Sequence, residues 1–353
     1  MDIKITQRDQ SKRSSVDFDN LAFGNQFSDH MLVCKFTGGE WESPAIIPYG
    51  KIQYDPAMSV LHYGQGVFEG MKAFSYKDGK VNIFRPESHY ERFVESCERV
   101  QIPAIPKEVF LDGLDKLVDL DRDWVPADKF KSLYIRPFAF ATDEFLGLKS
   151  SDTFSFIIIT GPVGNYYKEG IKPVKLTTMP DYVRAVKGGV GAAKVPGNYA
   201  ASLYPTTKAK EQGYTQVLWL DAVERKYVEE VGTSNIFFVF ENEIVTPPLG
   251  GSILPGITRR SMIQLARDKG HTVNERKITI NEVFEASKDG SLKEIFATGT
   301  AAVLSPVGSI HHQGEEIVVD RDKMGPISED LYSSLTDIHH GERDDEHDWC
   351  HLI

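Results

Sequence analysis

Apolar residues in this chain come in short runs dense in aromatic and β-branched side chains. Even the longest, such as Phe154–Ile159, falls far short of the ~20 residues that a membrane-spanning helix needs. Such runs read as strands of buried sheets. Met31–Phe36, Tyr134–Ala141, Thr153–Thr160, Gln216–Leu220, Asn235–Phe240 and Glu294–Ala297 are of this kind, and Ala73–Phe74 with Val81–Phe84 form a hairpin across Lys77-Asp78-Gly79. Between them, Pro86–Val100, Pro106–Leu120 and Ile257–Lys269 carry apolar residues at helical spacing, the last closed by Gly270. A short helix, Asn281–Lys288, starts at a capping Asn281, and Asn198–Gln212 reads as a helix that Pro205 should kink or shift. Many strands with a few helices set to the outside predict an α+β fold.

The 353 residues predict about two domains. Residues 1–20 are expected to be a loose polar arm, 21–163 a small α/β domain, 164–176 a loop between domains, and 177–353 a large domain. The connection itself is read at Gly161-Pro162-Val163-Gly164 and on to Gly170, rich in glycine and aromatics. With 40 basic against 51 acidic residues the net charge is −11, which argues against nucleic acid or an anionic membrane as partner. Three scattered cysteines, Cys34, Cys97 and Cys350, offer neither a disulfide framework nor a zinc site. No metal is expected. The polar, mixed-charge N-terminus is unlike a signal or transit peptide, so the expected location is the cytoplasm. The His and acid residues from His339 to His351 read as a polar tail with Trp349 packed down.

Four stretches carry candidate chemistry. The first is Lys187-Gly188-Gly189-Val190-Gly191-Ala192-Ala193-Lys194-Val195. It departs from a phosphate loop, because Ala193 and Val195 stand where glycine and Ser/Thr are needed. It is either a flexible loop with two solvated lysines or a small-residue niche that disfavours the ammonium form of Lys194, which suits Schiff-base chemistry. The second places Glu229 and Glu230 on opposite faces of an extended chain, so that one can turn inward to a partner such as a protonated pyridine nitrogen. The third, Leu254-Pro255-Gly256-Ile257-Thr258, opens a helix whose free N–H groups suit a phosphate; Arg259 and Arg260 either assist or are solvated. The fourth, Thr298-Gly299-Thr300-Ala301-Ala302, ends a strand in small and hydroxyl residues. Together they match what pyridoxal phosphate chemistry requires.

On these residues the sequence resembles the branched-chain amino acid aminotransferases of the fold-type IV pyridoxal-phosphate class. The matching stretches include Tyr63–Phe74, Phe84-Arg85-Pro86, Tyr134–Pro137, Gly188–Lys194 with Gly197-Asn198-Tyr199, Glu230–Thr233, Ile253–Gly256 and Gly299–Ala301. The resemblance implies a D-amino acid aminotransferase-like fold with pyridoxal 5'-phosphate at the domain interface. Lys194 would carry the cofactor and shuttle a proton, and Glu230 rather than Glu229 would pair with the pyridine nitrogen. Tyr199 would meet the ring hydroxyl, and Arg85, Ile257, Thr258 and Thr300 would hold the phosphate. Thr233 would serve the cofactor and the pocket wall. Phe23, Tyr63, Phe68, Tyr134, Tyr166 and Ala301 would line the substrate pocket, with Tyr63 and Leu148 reaching in from the other subunit of a homodimer. Arg136 would receive the distal carboxylate of glutamate, and the N–H groups around Ala301 and Ala302 the α-carboxylate. The activity implied moves the amino group of L-leucine, L-isoleucine or L-valine to 2-oxoglutarate in a two-stage cycle. A D-amino acid aminotransferase, an aminodeoxychorismate lyase and a non-catalytic pyridoxal-phosphate binder are the alternatives. The apolar pocket set with the Tyr134–Arg136 pair speaks against the first two, and the presence of both Lys194 and Glu230 against the third. The C-x-x-C switch of some relatives is replaced here by Ala302 and Ser305.

Overall fold

The computed structural model describes residues 3–164, 171–320 and 322–353. The chain forms two compact units. One comprises Met1–Tyr166, Ala193–Pro196 and Asp337–Ile353; the other comprises Tyr167–Ala192 and Gly197–Thr336.

The first unit is built on strands β1 (His30–Thr37), β2 (Ala45–Pro48), β3 (Gly66–Phe68), β4 (Met71–Ser75), β5 (Val81–Phe84), β6 (Ser132–Ala141) and β7 (Phe154–Val163), with helices α1 (Pro86–Arg99) and α2 (Lys107–Leu120). The sheet runs in the order β2-β1-β7-β6-β4-β5, these neighbours are antiparallel, and β3 pairs with β6. Its core is aromatic: Phe93 of α1, Phe110 of α2 and Phe156 of β7 meet with ring centres 5.4–5.7 Å apart. The C-terminal strand Cys350–Leu352 returns to this sheet and pairs with β5.

Two local expectations change here. Gly161-Pro162-Val163 belongs to β7 rather than to a connection, because its ladder with β6 continues to the Ser132–Val163 pair. Gly161 is required there, since a Cβ would overlap the main chain of Gln26. The arm is not loose: Lys12 N–H donates to Asp29 at 2.9 Å, and Arg8 donates its N–H to His30 Nε2 at 3.0 Å and its guanidinium to Tyr49 O at 2.7 Å.

The second unit contains β8 (Val174–Thr178), helix α3 (Pro196–Glu211, its Pro196 assigned to the first unit), β9 (Gln216–Leu220), β10 (Val228–Val231), β11 (Asn235–Phe240), β12 (Ile244–Thr246), α4 (Ile257–Asp268), α5 (Ile280–Lys288), β13 (Leu292–Gly299) and β14 (Val303–His312). The sheet order is β10-β9-β8-β14-β13-β11-β12, with β8 parallel to both β9 and β14. Leu176, Leu218, Ile236, Phe238, Ile295 and Ile310 form one core with Val283 and Phe284 of α5. Alternation puts Phe237 on the other face, stacked on Phe296 at 4.9 Å. Thr279, not Asn281, caps α5: its hydroxyl accepts from Glu282 N–H at 3.0 Å, and the helix gains buried Ile280. Helix α3 starts at Pro196 and runs on through Pro205.

Among the described residues no helix is long and apolar enough to cross a membrane.

Candidate active site

In the first unit the geometry centres on Lys194. Its N–H donates to Ser96 Oγ at 2.9 Å, and its carbonyl accepts from Phe68 N–H at 3.0 Å. Val195 N–H reaches back to Ala193 O at 3.1 Å, which closes a three-residue turn around the lysine. Ala193 and Val195 are buried while Lys194 is half-buried. The main chain is thus fixed and the side chain left to project. Its Nζ lies 4.9 Å from the centre of the Phe68 ring.

The same ring has the Arg136 guanidinium 4.7 Å from its centre. Tyr134 and Arg136 share a face of β6 because they are two residues apart. Arg136 Nη2 donates to Tyr134 Oη at 2.9 Å, and its buried Nε has no hydrogen-bond partner among the described residues. Phe23 meets Tyr134 edge to face at 4.9 Å. Gly70 makes room for this group, since a Cβ there would overlap Tyr134 Oη. The fold therefore gathers Phe23, Phe68, Tyr134, Arg136 and Lys194 into one apolar-walled cluster with a cationic rim. Tyr63 and Leu148 stand apart, 43% and 82% exposed, and Tyr63 Oη donates to Leu146 O. Tyr166 lies outside the described residues.

Arg85 occupies the left-handed region at φ 52° where β5 turns into α1. Its N–H donates to Trp349 O at 2.8 Å, and its guanidinium lies 5.0 Å from the Trp349 ring centre. Trp349 is packed down, as expected of the tail. His339 stacks on Phe74 at 4.2 Å, His340 bonds Ser75 O and His351 bonds Asp115. Among the described residues no His, Cys, Asp or Glu cluster is placed to hold a metal ion.

In the second unit Glu230 is the inward residue, 2% exposed. Its Oε1 accepts from Leu254 N–H at 2.8 Å and from Asn235 Nδ2 at 3.3 Å. Its Oε2 lies 2.7 Å from Arg184 Nε, an ion pair without the alignment of a hydrogen bond. Arg184 Nη2 also donates to the carbonyls of Gly191 and Ser252. Glu229, on the opposite face, accepts from Ser252 Oγ, and burial pushes its carboxyl above the usual range. Arg184 escaped the sequence reading, since it lies in no recognisable pattern with Glu230, and Asn235 was read there only as the start of a strand.

Helix α4 begins at Gly256 with no side-chain cap and no acidic residue in its first turn. The N–H groups of buried Ile257 and Thr258 therefore sit at an uncapped positive helix end. Gly256 is close-packed: a Cβ would overlap Asn235 Oδ1. Arg259 faces away, buried 2.9 Å from both Pro247 O and Glu275 Oε2, so it neither assists at this end nor is solvated. Arg260 is exposed. Thr233 is exposed in the turn between Val231 and Ser234, and Tyr199 is half-buried on α3. Thr300, Ala301 and Ala302 are half-buried between β13 and β14. Just beyond them, Leu304 N–H bonds Ala302 O at 2.7 Å around Val303, whose φ is 63°. That is a strained turn for a β-branched residue.

The chain belongs to the amino-transferase class IV family, whose model matches residues 66–310. Branched-chain-amino-acid aminotransferase 2 of Bacillus subtilis is 51% identical over 340 residues, covering 96% of this chain and 94% of that protein. The crystal structure of the Escherichia coli branched-chain amino acid aminotransferase aligns with a TM-score of 0.76 at 26% identity, over 91% of this chain and 98% of that one. The branched-chain aminotransferase of the thermophilic archaeon Thermoproteus uzoniensis, in its crystal structure with norvaline, aligns with a TM-score of 0.75 at 26% identity, over 92% and 99% of the two chains. The family resemblance read from the sequence and the α+β fold are both borne out.

Proposed function

We propose that the protein is a branched-chain amino acid aminotransferase with pyridoxal 5'-phosphate as its cofactor, transferring the amino group of L-leucine, L-isoleucine or L-valine to 2-oxoglutarate. The residues fit such a group. A buried carboxylate at Glu230 suits a protonated pyridine nitrogen, and the uncapped end of α4 suits a phosphate. When bound, the cofactor supplies an aldehyde that takes up the amino group and a ring that accepts the electron pair released at the substrate's α-carbon.

The chain's own residues do the rest. Lys194 would present its amine to the aldehyde and would hold a proton on Nζ. Glu230 keeps the ring nitrogen protonated. Tyr199 donates to or accepts from the ring hydroxyl. Arg85, Thr300 and the N–H groups of Ile257 and Thr258 would hold the phosphate, and Thr233 would serve the cofactor. The aromatic walls of Phe23, Phe68 and Tyr134 take a branched aliphatic side chain, whose burial is worth roughly 1.5–3 kcal/mol. Arg136, whose Nε has no partner among the described residues, receives the distal carboxylate of glutamate, so that the same walls serve both substrates. N–H groups around Ala301 and Ala302 receive the α-carboxylate. The reading extends to a cytoplasmic homodimer in which exposed Tyr63 and Leu148 of each subunit line the other's pocket.

The observation that carries this reading is Lys194, whose main chain is locked on both sides while its amine projects beside an aromatic and arginine-rimmed cluster. The test is the absorption spectrum of the purified protein. A band near the visible edge should bleach on adding L-leucine, return on adding 2-oxoglutarate, and be absent from Lys194→Ala. Bleaching by D-alanine and not by L-leucine would overturn the substrate assignment.

A further inference from the structure

A buried ionic network that the mechanism above does not use adjoins the Lys194 segment through Ser96. Glu69 is fully buried in the turn between β3 and β4. Arg92 of α1 grips it with two bonds, Nε to Oε1 at 2.7 Å and Nη2 to Oε2 at 2.9 Å. His89 Nδ1 lies 2.6 Å from Oε2, and Gly70 N–H donates to the same oxygen at 3.1 Å. Burial opposes ionisation of Glu69, but Arg92 and then His89 outweigh it and hold the carboxyl far below its ordinary range. Ser96 continues the line. Its Oγ donates to Arg92 O at 2.8 Å and accepts Lys194 N–H at 2.9 Å, and the residue is 1% exposed.

His89, Arg92 and Ser96 are spaced three and four residues apart, so they share one face of α1. That face meets both segments that touch the lysine. Glu69 anchors the turn whose preceding residue, Phe68, donates its N–H to Lys194 O, and Ser96 takes the Lys194 N–H itself. Burying such a network gives little stability that well-packed apolar residues would not give.

We propose that Ser96 is a positioning residue for Lys194, anchored by the Glu69–His89–Arg92 network, and that it fixes the direction from which the amine meets the cofactor's aldehyde. The proposal rests on the reading of Lys194 as the cofactor-bearing amine. A backbone held at both its N–H and its carbonyl confines the motion of Lys194 to its side chain, so each return of the amine ends in the same place.

The test compares Ser96→Ala, Ser96→Thr and Glu69→Gln with the natural chain. Apoprotein of each is mixed with pyridoxal 5'-phosphate. The rate of capture and the circular dichroism of the bound cofactor's visible band are recorded beside the far-ultraviolet spectrum and Tm of the apoprotein. Ser96→Ala is expected to keep its secondary structure, capture the cofactor roughly tenfold more slowly and show a weakened or displaced visible dichroism band. Ser96→Thr, which keeps the hydroxyl, should recover most of both signals. Glu69→Gln should move them in the same direction as Ser96→Ala. A lowered Tm with unchanged capture and an unchanged visible band would mean that Ser96 only supports the fold, and would overturn the proposal. Lys194→Ala is run alongside: if it formed the same visible band, the reading of Lys194 itself would fail, an outcome distinct from a silent Ser96.

Discussion

Phe68 meets Lys194 at two points: its N–H donates to the lysine carbonyl at 3.0 Å, and its ring centre lies 4.9 Å from Nζ. The ring is also 4.7 Å from the Arg136 guanidinium, so one side chain lies against both the Lys194 amine and the Arg136 guanidinium. Phe68→Leu keeps the backbone contact and removes the ring. A cation over an aromatic face is worth about 0.5–2 kcal/mol, or roughly 2- to 30-fold in a rate or binding constant. Steady-state kinetics on this variant should show kcat lowered for L-leucine and KM raised for 2-oxoglutarate. A loss confined to one substrate would separate the two roles.

Gly70 is held by space rather than by backbone conformation, since an added Cβ would overlap Tyr134 Oη. Gly70→Ala forces Tyr134 aside and breaks its bond from Arg136 Nη2. Overpacking of this kind costs about 1–3 kcal/mol, read as a lowered midpoint in urea unfolding. KM for 2-oxoglutarate is expected to rise more than KM for L-leucine, because the arginine loses a fixed neighbour while the apolar walls adapt.

The sheets were legible in the sequence because their strands are short, aromatic and β-branched, and helices α1, α2 and α4 because their apolar residues recur at helical spacing. What escaped depends on partners distant in sequence. Nothing in Cys350–Leu352 marks a strand; its pairing with β5 makes it one. Asn281 looked like the cap of α5, but Thr279 has its hydroxyl in reach of Glu282 N–H, and burial of Ile280 favours the longer helix. At the candidate site Lys194 and Glu230 stood out through their local motifs. Arg184 and Ser96 did not, because a lone arginine and a serine inside a helix acquire meaning only from what the fold sets beside them.

Arg184 is the clearest case. It lies 2.7 Å from Glu230, both side chains are under a tenth exposed, and it binds the carbonyl of Gly191 in the glycine-rich loop. Arg184→Met leaves a buried carboxylate short of its cation, a loss that costs about 3–5 kcal/mol when one partner of a buried pair is removed. The urea midpoint of the apoprotein should fall accordingly. If Glu230 is the partner of the pyridine nitrogen as proposed, cofactor retention on dialysis should fall too, because Arg184 no longer helps to fix that carboxylate. Unchanged retention together with a lowered midpoint would assign Arg184 to stability alone.

Lys72 gives the protein a pH-dependent element beside the same cluster. It sits opposite Tyr134 in the β4–β6 ladder, so it shares the face that carries Tyr134 and Arg136. Burial pushes its amine down to about 8 from the ordinary 10.5 of a lysine. Below that value the amine is charged in the folded and unfolded chain alike, and its burial costs stability in full. Between about 8 and 10.5 the unfolded chain binds the proton more readily than the folded one, so this contribution to stability rises with pH and is complete above the window. Lys72→Met removes the titrating group. Its Tm should exceed that of the natural chain near pH 7, and the difference should shrink as pH approaches 10.5. In activity the sign reverses: charge near Arg136 favours a dicarboxylate, so KM for 2-oxoglutarate in the natural chain should climb as pH passes 8, more steeply than KM for L-leucine. In Lys72→Met that step should be missing, and a step of equal size in both proteins would remove Lys72 from the account.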